Sequence, residues 1–135
     1  MSRTTSGKLV LEAQAAGTAV GAFNVILLEH AEALVAGAEK SNLPVILQIS
    51  ENCVSYHGAL KPISVATIAI ADHSSVPVSV HLDHAESEDL VKEALDLGYD
   101  SIMFDGSKLP YEENVAASLR MAQLCKSYGA TLEVE

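Results

Sequence analysis

The segment with the densest set of chemically active side chains is His81-Leu82-Asp83-His84, at the end of an apolar run. Alternate side chains of a β-strand point to the same face, so His81 and Asp83 are expected to share one face. We expect His84 to lie at the following turn, where the alternation lapses and its side chain can reach the same centre. Imidazole plus carboxylate suits a borderline divalent metal such as zinc, and a carboxylate can also act as general acid or base. In the alternative interpretation, the histidines are hydrogen-bonded scaffold and Asp83 caps the following helix.

Polar residues also follow or end the other predicted strands, at Asn24, Ser50-Glu51-Asn52, Asp105, Glu133 and Glu135. In a (β/α)8 barrel the active site is assembled at the carboxyl ends of the strands, each of which contributes one or two groups. In an open doubly wound sheet only the strands beside the switch point are expected to carry such groups. Polar ends on five successive strands therefore favour the barrel, although strand ends lie at the surface, where polar residues gather in any protein.

The elements that must position these residues alternate regularly along the chain. Strands are predicted to start near residues 19, 44, 77, 100 and 131, and helices to span residues 4–16, 28–40, 62–74, 88–97 and 110–128. Residues 55–58 are predicted to form a loop, and the last helix to turn Val115, Leu119, Ala122 and Cys125 towards the core. The alternation predicts parallel strands joined by right-handed helical crossovers. Two architectures satisfy it: a five-stranded flavodoxin-like sheet or part of a (β/α)8 barrel.

The net charge, the apolar runs and the cysteine pattern of the chain exclude several classes of function. The chain has 135 residues, with 8 Lys and Arg against 18 Asp and Glu, and a formal net charge of −10. This acidity argues against binding to nucleic acid or to an anionic membrane surface. No apolar run approaches the roughly 18 residues of a membrane helix, and residues 1–6 lack the apolar core of a signal peptide. The two cysteines form no CxxC or zinc-type pattern, so we expect no disulfide and a cytoplasmic location.

Six segments resemble, in order, the class II, metal-dependent aldolases that act on fructose and tagatose bisphosphates. They are residues 20–25, 44–51, 77–84, 98–107, 112–115 and 133–135. The fold that this resemblance implies is an α/β protein of the (β/α)8 TIM-barrel family. Residues 1–135 are then expected to form the N-terminal portion of a single barrel domain, a partial barrel of about five parallel strands with the helices outside.

The resemblance also implies a reaction and the residues that carry it. Asp83 matches the catalytic acid/base, which moves a proton at the C4 hydroxyl or aldehyde oxygen. His84 matches a histidine that binds the catalytic Zn²⁺, and Asp105 and Glu135 match carboxylates near an alternative or second metal position. The expected reaction cleaves or forms a ketose 1,6-bisphosphate, giving glycerone phosphate and glyceraldehyde 3-phosphate. Zinc, or another divalent metal, stabilises the enediolate in this chemistry.

The remaining implied contacts are with substrate. Asn24 and Ser50 match residues that contact the phosphorylated ketose or triose, Ser50 at the phosphate end. His81 matches a residue beside the site that is not expected to be a ligand. Family members are dimers or higher homo-oligomers, so the resemblance implies a homo-oligomer here.

The family runs to about twice this length, as the ~250 residues of a typical barrel require. Two further zinc histidines, the glycine-rich phosphate loops and a mobile glutamate loop belong to the part that follows. We therefore expect the 135-residue chain alone to be inactive or nearly so. The alternative is a non-catalytic half-barrel that assembles with a complementary chain, and the coding sequence past Glu135 distinguishes the two. A third hypothesis, an independent flavodoxin-like binder, requires the strand order 2-1-3-4-5.

Overall fold

A computed structural model describes residues 2–135, which form a single five-stranded parallel sheet with helices packed against it. The elements in chain order are α1 (Ser6–Ala15), β1 (Gly21–Asn24), α2 (Leu28–Ser41), β2 (Val45–Ser50), α3 (Glu51–His57), α4 (Lys61–Asp72), β3 (Val78–Ala85), α5 (Glu88–Leu97), β4 (Ser101–Phe104), α6 (Tyr111–Tyr128) and β5 (Thr131–Val134). The strand order is β1-β2-β3-β4-β5, and every neighbouring pair is parallel. Sequential order is that of a (β/α)8 barrel, so the flavodoxin-like order is wrong and the partial barrel is confirmed.

The two faces of the sheet differ in polarity because side chains alternate along each strand. One set, which includes Leu47, Val80 and Ile102, is fully buried against α2–α6 in the hydrophobic core. Burial of each such aliphatic side chain stabilises the fold by about 1.5–3 kcal/mol. The other set lines the concave inner surface, where Gln48 and His81 border an open cavity. The helices therefore lie outside, as expected, and the polar groups face the barrel interior.

Two local predictions were wrong. Residues 55–58, predicted as a loop, lie mostly within α3, whose seven residues are too few to give a periodic pattern. In α6 the buried stripe is Ala117, Met121 and Cys125, whereas Val115, Leu119 and Ala122 are exposed. Only Cys125 was assigned to the correct face. Both stripes have helical spacing, so the sequence pattern alone does not choose between them.

The amino-terminal end of the sheet is held by the first residues of the chain. Arg3 donates from Nε to Oδ1 of Asp72 at 2.8 Å and from Nη1 to the carbonyl oxygen of Gly98 at 2.7 Å. Its Nη1 also lies 3.6 Å from Oδ2 of Asp100, whose Oδ2 accepts from the backbone N–H of Val80. Helix α1 contacts β3 and β5 on the same side. The carboxyl-terminal ends of the strands lie at the opposite end of the sheet.

Strands β1 and β5 are the edges of the sheet among residues 2–135. Phe23 on β1 and Val134 on β5 are 50% and 52% exposed. Edge strands present unpaired N–H and C=O groups that can pair with further strands.

None of the helices in the described part of the chain combines the length and apolar character needed to cross a membrane.

Candidate functional site

Asp83 lies near the carboxyl end of β3 with its side chain directed to the inner face of the sheet. Its Oδ1 accepts a hydrogen bond from Nε2 of Gln48 on β2 at 2.9 Å, and the side chain is 13% exposed. The cap of α5 is Ser87, whose Oγ accepts from the N–H of Leu90. The alternative interpretation of Asp83 as a helix cap is therefore wrong, and its carboxylate is held at the mouth of the partial barrel.

His84 breaks the alternation of β3. Its φ is +48°, in the left-handed region, and the pairing of β3 with β4 shifts register between Leu82 and Ala85. A left-handed residue other than glycine costs about 1–2 kcal/mol. The consequence is that Nδ1 of His84 lies 2.9 Å from Oδ2 of Asp105, beyond the end of β4. The lapse of alternation was predicted correctly, although it occurs within the strand and not at a turn after it.

His84, Asp105 and Glu135 form a compact cluster. One ligand atom of each lies within 4.8 Å of those of the other two, and Nδ1 of His84 is 3.7 Å from Oε2 of Glu135. Asp105 also accepts from the backbone N–H of Ser107 at 3.0 Å and from its hydroxyl at 2.5 Å. These bonds from Ser107, with that of His84, lower the pKa of Asp105 to about 2. The hydrogen bond to Asp105 raises the pKa of His84 above its ordinary value.

The donor set of this cluster fits a divalent metal. One imidazole nitrogen and two carboxylates are ligands that zinc accepts. His84 and Glu135 are each 53% exposed, so the cluster is accessible from the mouth. The hydrogen bond to Asp105 favours the protonated form of the His84 imidazole. Metal binding must displace the proton of His84.

Asn24 and Ser50 lie together at a second part of the mouth. Both border a cavity of about 430 Å³ at the carboxyl ends of β1 and β2, which Tyr56 also lines. Ser50 is the cap of α3, since its Oγ accepts from the N–H of Cys53 at 3.2 Å. Its hydroxyl proton can still be donated. The structure thus brings Asn24 and Ser50 together, whereas the cluster of His84 lies across β3–β5.

Gln48 is a residue of the site that the sequence analysis did not identify. Its signal was present: it is the one polar residue within the apolar run 44–49, two residues before Ser50 and hence on the same face. Two histidines near this mouth, His30 and His57, contact the backbone. Nδ1 of His30 accepts from the N–H of Leu27 at the start of α2, and Nε2 of His57 contacts the carbonyl of Ile26.

Comparison with protein families gives one match that spans almost the whole chain. The family described as fructose-bisphosphate aldolase class-II matches residues 4–135. The chain belongs to this family. The resemblance inferred from the six segments is confirmed, and the cluster lies at the barrel face where active sites of this fold are built.

Individual relatives of the chain are also named as aldolases. The chain is 36% identical over 137 aligned positions to 6-phospho-5-dehydro-2-deoxy-D-gluconate aldolase of Bacillus velezensis, covering 100% of this chain and 47% of the relative. It is also 36% identical to a fructose-bisphosphate aldolase of Streptococcus pyogenes serotype M1, covering 100% of this chain and 46% of that one. The chain therefore spans about half the length of these relatives.

Solved structures give the same picture of the class II aldolase fold. The YdjI aldolase of Escherichia coli K12 superposes with a TM-score of 0.89 at 24% identity, over 98% of this chain and 51% of that one. At this identity the match concerns the fold alone. Fructose-bisphosphate aldolase of Campylobacter jejuni gives a TM-score of 0.77 at 26% identity, over 98% and 45% of the two chains.

Proposed function

We propose that this chain forms part of a metal-dependent aldolase that cleaves or forms a ketose 1,6-bisphosphate, giving glycerone phosphate and glyceraldehyde 3-phosphate. The observation that carries the proposal is the placement of Asp83 on the strand that also carries His84, beside a cluster able to hold a divalent ion. Membership of the class II family and the names of its relatives support the reaction class. Fructose and tagatose bisphosphate both satisfy the chemistry.

Asp83 is the acid/base in this proposal. In cleavage it accepts the proton of the C4 hydroxyl as the C3–C4 bond breaks, and in synthesis it returns that proton to the aldehyde oxygen. The hydrogen bond from Gln48 occupies Oδ1 and orients the carboxylate, so that Oδ2 is available for this transfer. Positioned proton transfer of this kind contributes about 10²–10⁴-fold to a rate.

His84 would hold the catalytic divalent ion, for which we propose zinc, and Asp105 and Glu135 would lie at an alternative or second metal position. The ion, when bound, supplies Lewis-acid stabilisation of the negative charge that cleavage leaves on the ketone fragment. The three side chains must be deprotonated to bind a metal ion. Asp105 does so readily because Ser107 and His84 lower its pKa.

Asn24 and Ser50 are proposed to contact the substrate, Ser50 at a phosphate group. Their shared cavity and neutral donors support this assignment. Lys108 is the lysine near this end of the sheet, and its Nζ donates to Glu86 at 2.6 Å. Phosphate recognition by Asn24 and Ser50 would therefore rest on amide and hydroxyl donors.

We further propose that residues 1–135 are the N-terminal portion of one barrel domain and do not turn over substrate by themselves. The two sheet edges and the coverage of about half of each relative support this. The second candidate is a half-barrel module that docks with a complementary chain, which the same edges favour. Zinc identity, a homo-oligomer and a cytoplasmic location stay predictions.

Metal removal tests the proposed function. Aldol cleavage of fructose 1,6-bisphosphate is assayed on the full-length gene product that contains these residues, before and after chelation. We expect chelation to abolish cleavage and Zn²⁺ to restore it, with Mg²⁺ as the matched control because it favours all-oxygen octahedral sites. Cleavage that is unchanged after complete removal of metal would refute the proposal.

A further inference from the structure

His81 lies behind Asp83 on the inner face, and its side chain is 5% exposed. Its Nδ1 is 2.9 Å from Oγ of Ser101 on β4. On its other side, Nε2 lies 4.0 Å from Oδ1 of Asp83 and 4.0 Å from Oε2 of Glu133. The ring therefore stands between a hydroxyl on one side and two carboxylates on the other.

The protonation of the ring follows from these neighbours. Burial lowers the pKa of His81 to about 4, so the ring is neutral near pH 7 and carries its proton on one nitrogen. Ionised carboxylates only accept hydrogen bonds, whereas a serine hydroxyl donates or accepts. The proton therefore belongs on Nε2, facing Asp83 and Glu133, while the hydroxyl of Ser101 donates to Nδ1.

Ser101 in turn contacts a second buried serine, Ser79. Its Oγ lies 3.4 Å from Oγ of Ser79, which is fully buried on β3. The hydroxyl of Ser79 can donate to that of Ser101, so the chain of hydrogen bonds runs in one direction towards the carboxylates. The distance of 4.0 Å from Nε2 to Asp83 exceeds a hydrogen bond and is too short to contain a water molecule. A movement of about 1 Å closes it, as catalytic hydrogen bonds commonly tighten on substrate binding.

We propose that His81 is a positioning residue for Asp83: Ser101 sets its tautomer, and its Nε2–H, together with the amide of Gln48, holds Oδ1 of Asp83. The second carboxylate oxygen of Asp83 is then presented to the substrate. The inference rests on the proposed function of Asp83 and adds a residue that does not touch the substrate. The inference also explains why a chain of hydrogen bonds through Ser79, Ser101 and His81 lies inside the barrel.

The tautomer is tested without any assay of activity. The ¹⁵N chemical shifts of His81 are measured on the 135-residue protein, with Ser101→Ala as the variant and Ser118→Ala on α6 as the matched control. We expect the Nε2–H tautomer in the wild type and the control, and a mixture of tautomers in Ser101→Ala. A wild-type ring protonated on Nδ1 would overturn the inference.

Two substitutions then separate positioning from structure in the full-length gene product. The amide of His81→Gln reaches the place of Nε2 and keeps a donor to Asp83, whereas that of His81→Asn lies near Nδ1 and keeps only the contact with Ser101. We expect His81→Asn to lower kcat by about 10²-fold, the lower end for lost acid/base catalysis, and His81→Gln by less than about tenfold. KM should change by less than about twofold in both, because uniform binding is not affected.

A partial reaction and a folding control complete the test. Exchange of the C3 proton of glycerone phosphate with solvent needs no proton transfer at an aldehyde oxygen, so His81→Asn should leave it unchanged. Equal kcat losses in both variants, or full activity of His81→Asn, would overturn the inference, and thermal unfolding shows whether each variant is folded. If one of the His81 variants does not fold, the tautomer of His81 in Ser101→Ala tests the inference on its own. If the wild type cleaves no ketose bisphosphate, the proposed function fails, and the tautomer still decides the geometry of His81.

Discussion

Nδ1 of His84 on β3 lies 2.9 Å from Oδ2 of Asp105 at the end of β4, and the left-handed backbone of His84 makes this contact possible. With the regular alternation of a strand, the imidazole would point towards the helices. Because of this strained backbone, the side chains of two consecutive residues, Asp83 and His84, both lie at the carboxyl-terminal mouth of the partial barrel. Strain of this kind is typical of functional sites.

The pKa of His84 should depend on Asp105. Because the hydrogen bond that Asp105 accepts from Nδ1 of His84 is the main cause of the raised pKa of His84, Asp105→Asn should lower that pKa towards the ordinary value of about 6.5. The pKa is read by NMR titration of the metal-free protein. Asp89→Asn, an exposed position on α5, is the control and should leave it unchanged. A raised pKa that persists in Asp105→Asn would contradict the assigned cause.

Zinc affinity should require all three members of the cluster. Loss of an outer-sphere partner alone commonly costs 10–100-fold in affinity, so His84→Ala or Glu135→Gln should weaken Zn²⁺ binding by more than about tenfold. Isothermal titration calorimetry measures the affinity of each variant for Zn²⁺, and His73→Ala, at the end of α4, is the control. Affinity should also fall as the pH is lowered through the pKa of His84, because the metal competes with its proton. Equal affinities for the variants and the control would rule out this site.

Ser50 should contribute separately to stability and to substrate binding. Loss of its cap in Ser50→Ala should lower the free energy of unfolding by about 1 kcal/mol, and Ser50→Asp, which retains an accepting oxygen, should restore most of it. Ser87→Ala, at the cap of α5, gives the matched loss in stability. Denaturant unfolding measures these effects. KM for the bisphosphate should rise in Ser50→Ala and Ser50→Asp but not in Ser87→Ala, and an unchanged KM in both Ser50 variants would remove Ser50 from the phosphate end.

Asp100 should make stability fall with rising pH. Burial raises its pKa to about 6, so between about pH 4 and 6 the folded state binds a proton that the unfolded state has released. The contribution of Asp100 to the free energy of unfolding therefore decreases through this window. The wild-type value minus that of Asp100→Asn should fall from about pH 4 to about pH 6 and level off above it. Asp72→Asn, which removes the other carboxylate that contacts Arg3, is the matched control for the loss of a charge beside that arginine.

Much of the fold was predictable because its signals are local. Apolar strands alternate with helices along the chain, and the polar residues that end successive strands indicated a barrel before any contact was known. Asp83 and Asp105 could be placed at one face because the carboxyl ends of parallel strands meet there. These inferences need only strand periodicity and the handedness of crossovers.

The remaining features depend on tertiary contacts. The left-handed conformation of His84 coincides with the register shift between β3 and β4, which no pattern within one strand encodes. The buried face of α6 could not be chosen, because Ala117 and Val115 each begin a stripe of helical spacing. Helix α3 was too short to leave a periodic signal, so the role of Ser50 as its cap was hidden.

The central claim is that Asp83 moves the proton at the C4 oxygen beside a metal held by His84 and its neighbours. The most direct test is zinc-dependent cleavage of fructose 1,6-bisphosphate by Asp83→Ala in the full-length gene product, compared with Asp89→Ala. We predict that Asp83→Ala loses about 10²–10⁴-fold in kcat while it still binds Zn²⁺, and that the control keeps the wild-type rate. A wild-type rate in Asp83→Ala would contradict the account.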